Sequence, residues 1–315
     1  MDEGHKETDD LIEALEKKIA RVYSQALREM KTKQAEFMEE FAKELDAMNE
    51  RLKSGEITER EFKDWLEDQN TNFTWRANMI DTLAGDLVEA DKKAAEIIAE
   101  ELPKTFVLNA NYATYQIERS VGVSLNFSLY DLDTVNELLE KEPDLLPKPD
   151  IDIEKDKRWN RQKLTSAITQ SILQGEGIMD TAKRISSVAQ MDANAAVRNA
   201  RTMMTAAQNN GRQKSYERAQ ENGVEIQKEW VATLDKRTRR SHRRLDGERV
   251  GINEKFSNEC AFPGDPEGPK SEVYNCRCTM KAHFVGDKYQ ARQRFSRLKD
   301  VTYEEWKEGK NGRSG

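Results

Sequence analysis

Few of the residues that let a small fold stand alone occur in this chain of 315 residues: it has three cysteines, seven prolines and only 7% aromatic residues. Three cysteines cannot all pair, which points to a reducing compartment and away from a disulfide framework. No stretch approaches the ~18 consecutive apolar residues that would cross a bilayer, so no membrane partner is expected. The N-terminus, MDEGHKETDD, is acidic and has no apolar core, so no secretory leader is expected either. Gly-rich phosphate loops, a G-x-S-x-G elbow and an H-E-x-x-H helix are all missing. The expectation is therefore that the chain is not an enzyme. Asp235, His242 and Asp246 can still be drawn as a metal-nuclease cluster, and a metal-dependent nuclease stays open as an alternative.

Charge is what the chain has in plenty. Apolar residues make up 37% and charged residues 35%, and the mean hydropathy is −0.89. Usual soluble domains carry about 45–50% apolar and about 25% charged residues. Such a composition means thin, solvated helices or a core completed on a partner. The net charge of −7 is unevenly spread. Residues 1–100 hold 26 acids against 15 bases, whereas residues 195–250 hold 13 bases against 7 acids. An acidic arm followed by a basic patch suggests interaction surfaces.

Length favours two domains. Apolar steps of three and four predict helices over Leu11–Met30 and Phe37–Leu52, with Gly55 as a breaker. Thr58 to Glu61 reads as a capping box, with Ile57 and Phe62 as its staple, opening a helix with Trp65 and Leu66. Ile80 to Ile98 marks another helix, which Pro103 is expected to end. Val121 to Tyr130 alternates as a half-buried strand would. A short helix over 131–140 follows, with Asp133 or Thr134 as its cap. The expected organisation is a helical N-terminal region over 1–142, a Pro/acidic linker over 143–154 and a motif domain over 155–285. A tail over 286–315 would be flexible, with one weak helix at Tyr303 to Trp306 and then a Gly/Ser/Lys end with no buried content. Leu164, Ile168, Ile172 and Leu173 predict a helix stopped by Gly175-Glu176-Gly177. Helices over 180–188 and 194–222 follow, ending at Asn222-Gly223. The second carries Arg198, Arg201, Thr202, Gln208, Asn209 and Arg212 on one face, too polar for an ordinary core helix. Val224, Ile226, Trp230 and Ala232 alternate as a strand. The expected fold class is mainly α with a small α+β C-terminal domain: an elongated helical N-terminal arm plus a compact motif domain.

Two clusters carry chemical information. Residues 236–249 contain seven bases and two acids. Arg237, Arg239, Arg240, Arg243 and Arg244 are candidate polyanion contacts, of the sequence-nonspecific kind that neutralises phosphates. A solvated face paired with Asp235, Asp246 and Glu248 is the plainer reading. The second cluster gathers every cysteine and two of three histidines between 242 and 283. Cys276-Arg277-Cys278 on a strand would point both thiols one way, and His242 and Cys260 could complete a tetrahedral structural zinc site. Packed, reduced cysteines beside a hydrogen-bonded histidine are the alternative, so no cofactor is certain.

The ordered motifs also carry a resemblance. Ala200-Arg201-Thr202 lies on the long helix and is followed by the run Trp230 to Arg239, then Ser241-His242 and Leu245-Asp246-Gly247. Phe256, Pro263-Gly264-Asp265-Pro266 and Asn275-Cys276-Arg277-Cys278 complete the set. Together they resemble the minor head, or head morphogenesis, proteins of tailed bacteriophages, the Mu F-like family. Asn109-Ala110-Asn111-Tyr112 and Phe127 to Asp131 are similar, more loosely, to minor head proteins of phages infecting Gram-positive hosts. The resemblance implies a minor virion component in the phage head interior, made in the host cytoplasm. Its expected partners are the portal protein, packaged double-stranded DNA, and scaffold or major capsid protein. Its expected work is head assembly, DNA packaging or DNA delivery; a stand-alone DNA-binding protein is a further alternative. Within the motif, Arg201, Trp230, Asp235, His242, Asp246, Gly247 and Asn275 would be structural. Some members are fused to toxin enzymes, for which residues 286–315 leave no room.

Overall fold

The structure is a computed structural model that describes residues 2–311 apart from 72–73, 123, 126, 150–151, 175–177 and 286–297, with the side chains of 66–75, 172–173, 178 and 311 also outside it. Leu66, the Gly175–Gly177 stop and the first part of the tail therefore lie outside the described residues. Helices dominate: α1 (Glu3–Lys53), α2 (Glu59–Thr71), α3 (Thr74–Val121), α4 (Leu132–Lys141), α5 (Ile153–Leu173) and α6 (Ile178–Glu221) precede the first strand. Then come β1 (Ile226–Val231), α7 (Arg240–Leu245), β2 (Arg249–Gly251), α8 (Lys270–Val273), β3 (Thr279–Phe284) and α9 (Tyr303–Asn311). The sheet is antiparallel in the order β2-β1-β3, with Gln227 opposite Gly251 and Trp230 opposite Met280. A mainly α chain with a small sheet near its C-terminus is the class expected.

Contacts divide the chain into two units that do not follow chain order. One comprises residues 1–16, 97–149 and 197–315; the other comprises 17–96 and 150–196. The second unit is a helical bundle. Met30, Leu83 and Leu87 pack with Leu164, Ile168, Ile185 and Val188, the three-and-four stripes of four helices. The first unit holds several cores among the described residues, two of them around the sheet and the loops. Ile117, Val121, Phe127, Tyr216, Val224, Ile226 and Met280 form one. Trp230, Leu245, Phe256, Val273 and the three cysteines form the other.

Several local signals act as expected. Gly55 takes a positive φ of 76° after α1, and Gly223 takes 80° after α6, the left-handed stop that glycine tolerates. The Thr58–Glu61 box closes, with Thr58 N donating to Glu61 Oε2 at 2.8 Å and Glu61 N donating to Thr58 Oγ1 at 3.2 Å. Other expectations are corrected by packing. The two apolar runs of the first fifty residues are one helix of 51 residues, and the two helices expected over 180–222 are the single α6. Pro103 does not end α3, which runs on to Val121. A proline inside a helix costs about 3 kcal/mol. Here the buried neighbours Leu102, Phe106, Ala110, Ala113 and Ile117 hold the helix together beyond it.

Val121 to Tyr130 is not a strand among its described residues. Val121 ends α3, while Phe127 still reaches the core and Leu125 packs against it. The backbone of Tyr130 is taken instead by a side chain: Asn111 Nδ2 donates to its carbonyl and Asn111 Oδ1 accepts from its N–H, both at 2.8 Å. With both ladder groups satisfied, nothing is left for a neighbouring strand. The cap of α4 is Asp131, which accepts from Thr134 N at 2.7 Å. The stretch expected as a linker buries Leu145 and Leu146. The weak helix expected at Tyr303 to Trp306 forms and buries apolar surface, where a flexible tail was expected. Tyr303 and Trp306 pack on Tyr112 and Tyr115. Trp306 Nε1 and Lys310 Nζ both donate to the buried Glu118, at 2.8 and 2.6 Å. A second capping box starts α9, with Thr302 N donating to Glu305 Oε2 at 2.9 Å and Glu305 N donating to Thr302 Oγ1 at 3.3 Å.

The bundle unit holds one costly group. Asp192 Oδ2 is buried without a hydrogen-bond partner, and burial, then Asp91 and Asp156, raise its carboxyl from 3.8 to about 7. The folded chain thus keeps a proton that the unfolded chain releases, so stability is lost as pH rises from near 3.8 through about 7. Asp192→Asn is expected to flatten that slope and to raise unfolding free energy at pH 8 by roughly 1–2 kcal/mol after allowance for solvent screening. Urea titrations of both chains at pH 5 and pH 8 check this; an unchanged difference between the two pH values would remove it.

Candidate functional site

The motif loops have little regular structure of their own. Between Ala232 and Cys278 the described elements are two short helices and a three-residue strand. Their backbone polar groups must be paired elsewhere, and α6 supplies the partners. Thr202 Oγ1 accepts from Asn275 N at 2.8 Å, and Thr205 Oγ1 donates to the Cys276 carbonyl at 2.8 Å. Asn209 Nδ2 donates to the carbonyls of Pro263 and Cys278 at 2.9 and 3.2 Å, while its Oδ1 accepts from Met280 N at 3.2 Å. Gln213 Nε2 donates to the Ile252 carbonyl at 2.8 Å. Positions 202, 205, 209 and 213 recur by three or four, so they form one helix face. The polar face is therefore a buried template for loops, and this is why it does not resemble an ordinary core helix. Alanines 200, 206 and 207 beside it are buried, and these small side chains let the loops approach.

Arg212 on the same face is fully buried. Its two terminal nitrogens donate to the two carboxylate oxygens of Asp2 at 2.7 Å each. Its Nε donates to Asn109 Oδ1 at 3.1 Å, and Nη1 donates also to the Met280 carbonyl at 2.8 Å. Asp2 also accepts from His5 N at 2.9 Å, so it caps α1. Burial opposes the charge on Asp2, but the hydrogen bonds and charge of Arg212 outweigh it and hold the carboxyl down at about 2. Sequence reading placed Arg212 among polar face residues and missed Asp2. The signal available was a capping acid at the N-terminus.

The structure gives the residues expected to be structural in the motif the following surroundings. Trp230 is buried edge-on to His242 and Phe256, with ring centroids at 5.3 and 5.1 Å. Asp246 Oδ1 accepts from Ala232 N at 2.9 Å. Gly247, at a positive φ of 83°, donates its N–H to the Trp230 carbonyl at 2.9 Å. Asn275 also sits in the left-handed region, at 58°, a conformation asparagine tolerates better than most residues. Arg201 forms an ion pair with Glu16, its Nη2 donating at 2.9 Å. Asp235 accepts from Arg277 Nη2 at 2.7 Å, Arg237 N at 2.8 Å and Thr238 Oγ1 at 3.1 Å. The Arg277 bond is the largest cause holding its carboxyl far below the usual range.

The five candidate polyanion arginines do not form one set. Arg239 donates to the Tyr274 carbonyl, and Arg243 donates to the carbonyls of Asp235 and Thr238 at 2.6 and 3.3 Å. These two staple the loop. Arg237 is exposed beside Asp235, at 3.9 Å. Arg240 and Arg244 are exposed one turn apart on α7, so they share an outward face.

His242, Cys276 and Cys278 meet. All three are buried, and the three donor atoms lie within 4.8 Å of one another. His242 Nδ1 is 3.4 Å from Cys278 Sγ and 3.7 Å from Cys276 Sγ. Cys276 and Cys278 precede β3 rather than lying on a strand. Their thiols converge because the chain there bends onto Thr205 and Asn209. The Cys276 thiol, then His242, draw Cys278 down to about 4 against its burial, while the bond to Cys278 and burial push Cys276 well up. Cys260 does not join this group among the described residues. It packs in the apolar core under Gly268, where an added Cβ would lie 2.6 Å from its sulfur. Burial raises its thiol to about 12. Asp235, His242 and Asp246 are not brought together as a metal cluster.

A helix-templated loop domain of this kind has relatives among phage head proteins. Residues 162–281 match the family described as phage Mu protein F like protein. Over nearly its whole length it is similar to the minor head protein GP7 of Bacillus phage SPP1, with 27% identity covering 98% of this chain and 97% of that one. The NAD(+)–arginine ADP-ribosyltransferase EFV of Enterococcus faecalis is 32% identical over 167 residues, which cover 52% of this chain and 34% of that protein. The uncharacterized protein YqbB of Bacillus subtilis is 32% identical over 36% of this chain. No solved structure matches. The chain is thus a phage head protein and a virion component. No described helix is long and apolar enough to cross a membrane.

Replacing Arg212 by Met leaves the Asp2 carboxylate and the Met280 carbonyl without their partner. Breaking a buried pair in this way is expected to cost about 3–5 kcal/mol. Urea unfolding of the variant measures it; a loss below about 1 kcal/mol would mean that the contact is not a tie.

Proposed function

We propose that this chain is a minor head protein that binds the portal in the head interior and assists head assembly, DNA packaging or DNA delivery. The observation that carries the reading is end-to-end similarity to a phage minor head protein, combined with a motif domain whose polar groups hold loops rigid. The side chains that an enzyme would present to a substrate are spent here on architecture: Asp235 and Asp246 accept hydrogen bonds from the loop itself. The reading assigns the chain no catalytic turnover. Co-expression with the portal protein of the same phage is expected to give a complex that co-elutes in size-exclusion chromatography. Separate elution at micromolar concentrations would overturn portal binding. A metal-dependent nuclease would nick plasmid in the presence of magnesium or manganese; intact plasmid is expected.

Packaged DNA is the second partner, met through Arg240 and Arg244. They are exposed on α7, while Arg239 and Arg243 are engaged by loop carbonyls. Replacing both exposed arginines by Ala is expected to weaken duplex binding and to reduce the slope of log affinity against log salt by about 2, nearly one for each phosphate no longer neutralised. Replacing Arg239 is expected to loosen the loop instead, seen as a lower melting temperature. An unchanged salt slope in the double variant would remove DNA contact at this face.

A further inference from the structure

We propose that His242, Cys276 and Cys278 hold a zinc ion. The geometry is that of a zinc coordination sphere. Zinc binds thiolate sulfur at about 2.3 Å and imidazole nitrogen at about 2.0–2.1 Å, so tetrahedral sulfur and nitrogen ligands sit about 3.6 Å apart. His242 Nδ1 lies 3.4 and 3.7 Å from the two sulfurs. No regrouping of the loops is needed for one ion to reach all three atoms.

The other ring nitrogen supports the assignment. His242 Nε2 is 3.1 Å from Glu272 Oε2 on α8, and both atoms are buried and make no hydrogen bond, so a modest turn of either group would let the ring N–H reach the carboxylate. Metal-bound histidines commonly donate their second ring N–H to a carboxylate, which fixes the tautomer and makes the coordinating nitrogen more basic. The arrangement leaves Nδ1 free to coordinate. The edge of Trp230, with its centroid 5.3 Å from the His242 ring, blocks the imidazole from turning away. Two thiolates and an imidazole suit zinc over magnesium or calcium, which prefer oxygen. Cys260 stays outside the sphere, in the apolar core.

The ion would join α7 to the loop before β3. Those segments are otherwise tied by the Arg239 contact with the Tyr274 carbonyl, and a cross-link of this kind is how a loop-rich domain with a small core gains stability.

The test uses the full chain, freed of any affinity tag and made in zinc-supplemented medium. Elemental analysis is expected to give about one zinc per chain, and about the same for Cys260→Ser. Cys276→Ser/Cys278→Ser is expected to fall below about 0.2 per chain, and Glu272→Gln to bind zinc about 10–100-fold more weakly. Cobalt exchanged into the wild-type chain is expected to show thiolate-to-metal charge transfer and strong tetrahedral d–d absorption. Stripping the wild-type chain with a chelator is expected to lower its melting temperature, and added zinc to restore it, which keeps the test independent of whether a variant folds. Wild-type chain that is folded yet carries under about 0.2 zinc and gives no cobalt charge-transfer band would overturn the proposal. So would equal loss of zinc in Cys260→Ser, or zinc retained in the double variant.

Discussion

The fully buried guanidinium of Arg212 is the constraint around which the motif-bearing unit is arranged. A charge taken out of water is tolerable only when every donor finds an acceptor and a counter-charge lies beside it. Asp2 supplies the counter-charge, and Asn109 and the Met280 carbonyl supply further acceptors. The start of α1, the middle of α3, α6 and β3 are thereby fixed to a single side chain. Each must be in place before the others are satisfied, so this unit assembles from segments more than two hundred residues apart along the chain.

The same helix face solves a second problem. A domain made mostly of loops has many backbone N–H and C=O groups and no ladder to pair them. Thr202, Thr205, Asn209 and Gln213 pair them one at a time. Side-chain amides read backbone at fixed distances, which gives the loops one conformation. The result is a surface on which Arg240 and Arg244 of α7 are exposed without a loop carbonyl to hold them, above a buried His–Cys–Cys group. Rigidity of this sort serves a protein that must be held among other head components better than it serves one that must open and close around a substrate.

Glycine stops, capping boxes and apolar stripes were legible because they act over three or four residues, where the chain cannot avoid its neighbours. Gly55, Gly223 and the Thr58–Glu61 box stand where local chemistry put them. Thr302 to Glu305 carried the same capping signal and went unread because the flanking residues are so polar. Pro103 and the alternating run from Val121 misled for the opposite reason. Proline's cost is set against the burial of the helix around it, and an alternating pattern becomes a strand only if another strand is there to pair. The order of motifs from Arg201 to Cys278 pointed to the family whose model matches residues 162–281 before any contact was known. The convergence of His242 with Cys276 and Cys278, but not Cys260, was one of several possible groupings.

Residue order alone determined which stretches are helical, where the glycines stop them, that the strand near Trp230 exists, and which family the motifs belong to. Each depends on neighbours in the chain or on a pattern that can be matched without coordinates. Only the tertiary structure decided that the polar face of α6 is buried, that Asp2 meets Arg212, that Arg239 and Arg243 point to carbonyls while Arg240 and Arg244 point to solvent, and which cysteines share a histidine. Those outcomes turn on whether water or another segment reaches a polar group first. That competition is settled by packing between parts of the chain far apart in sequence.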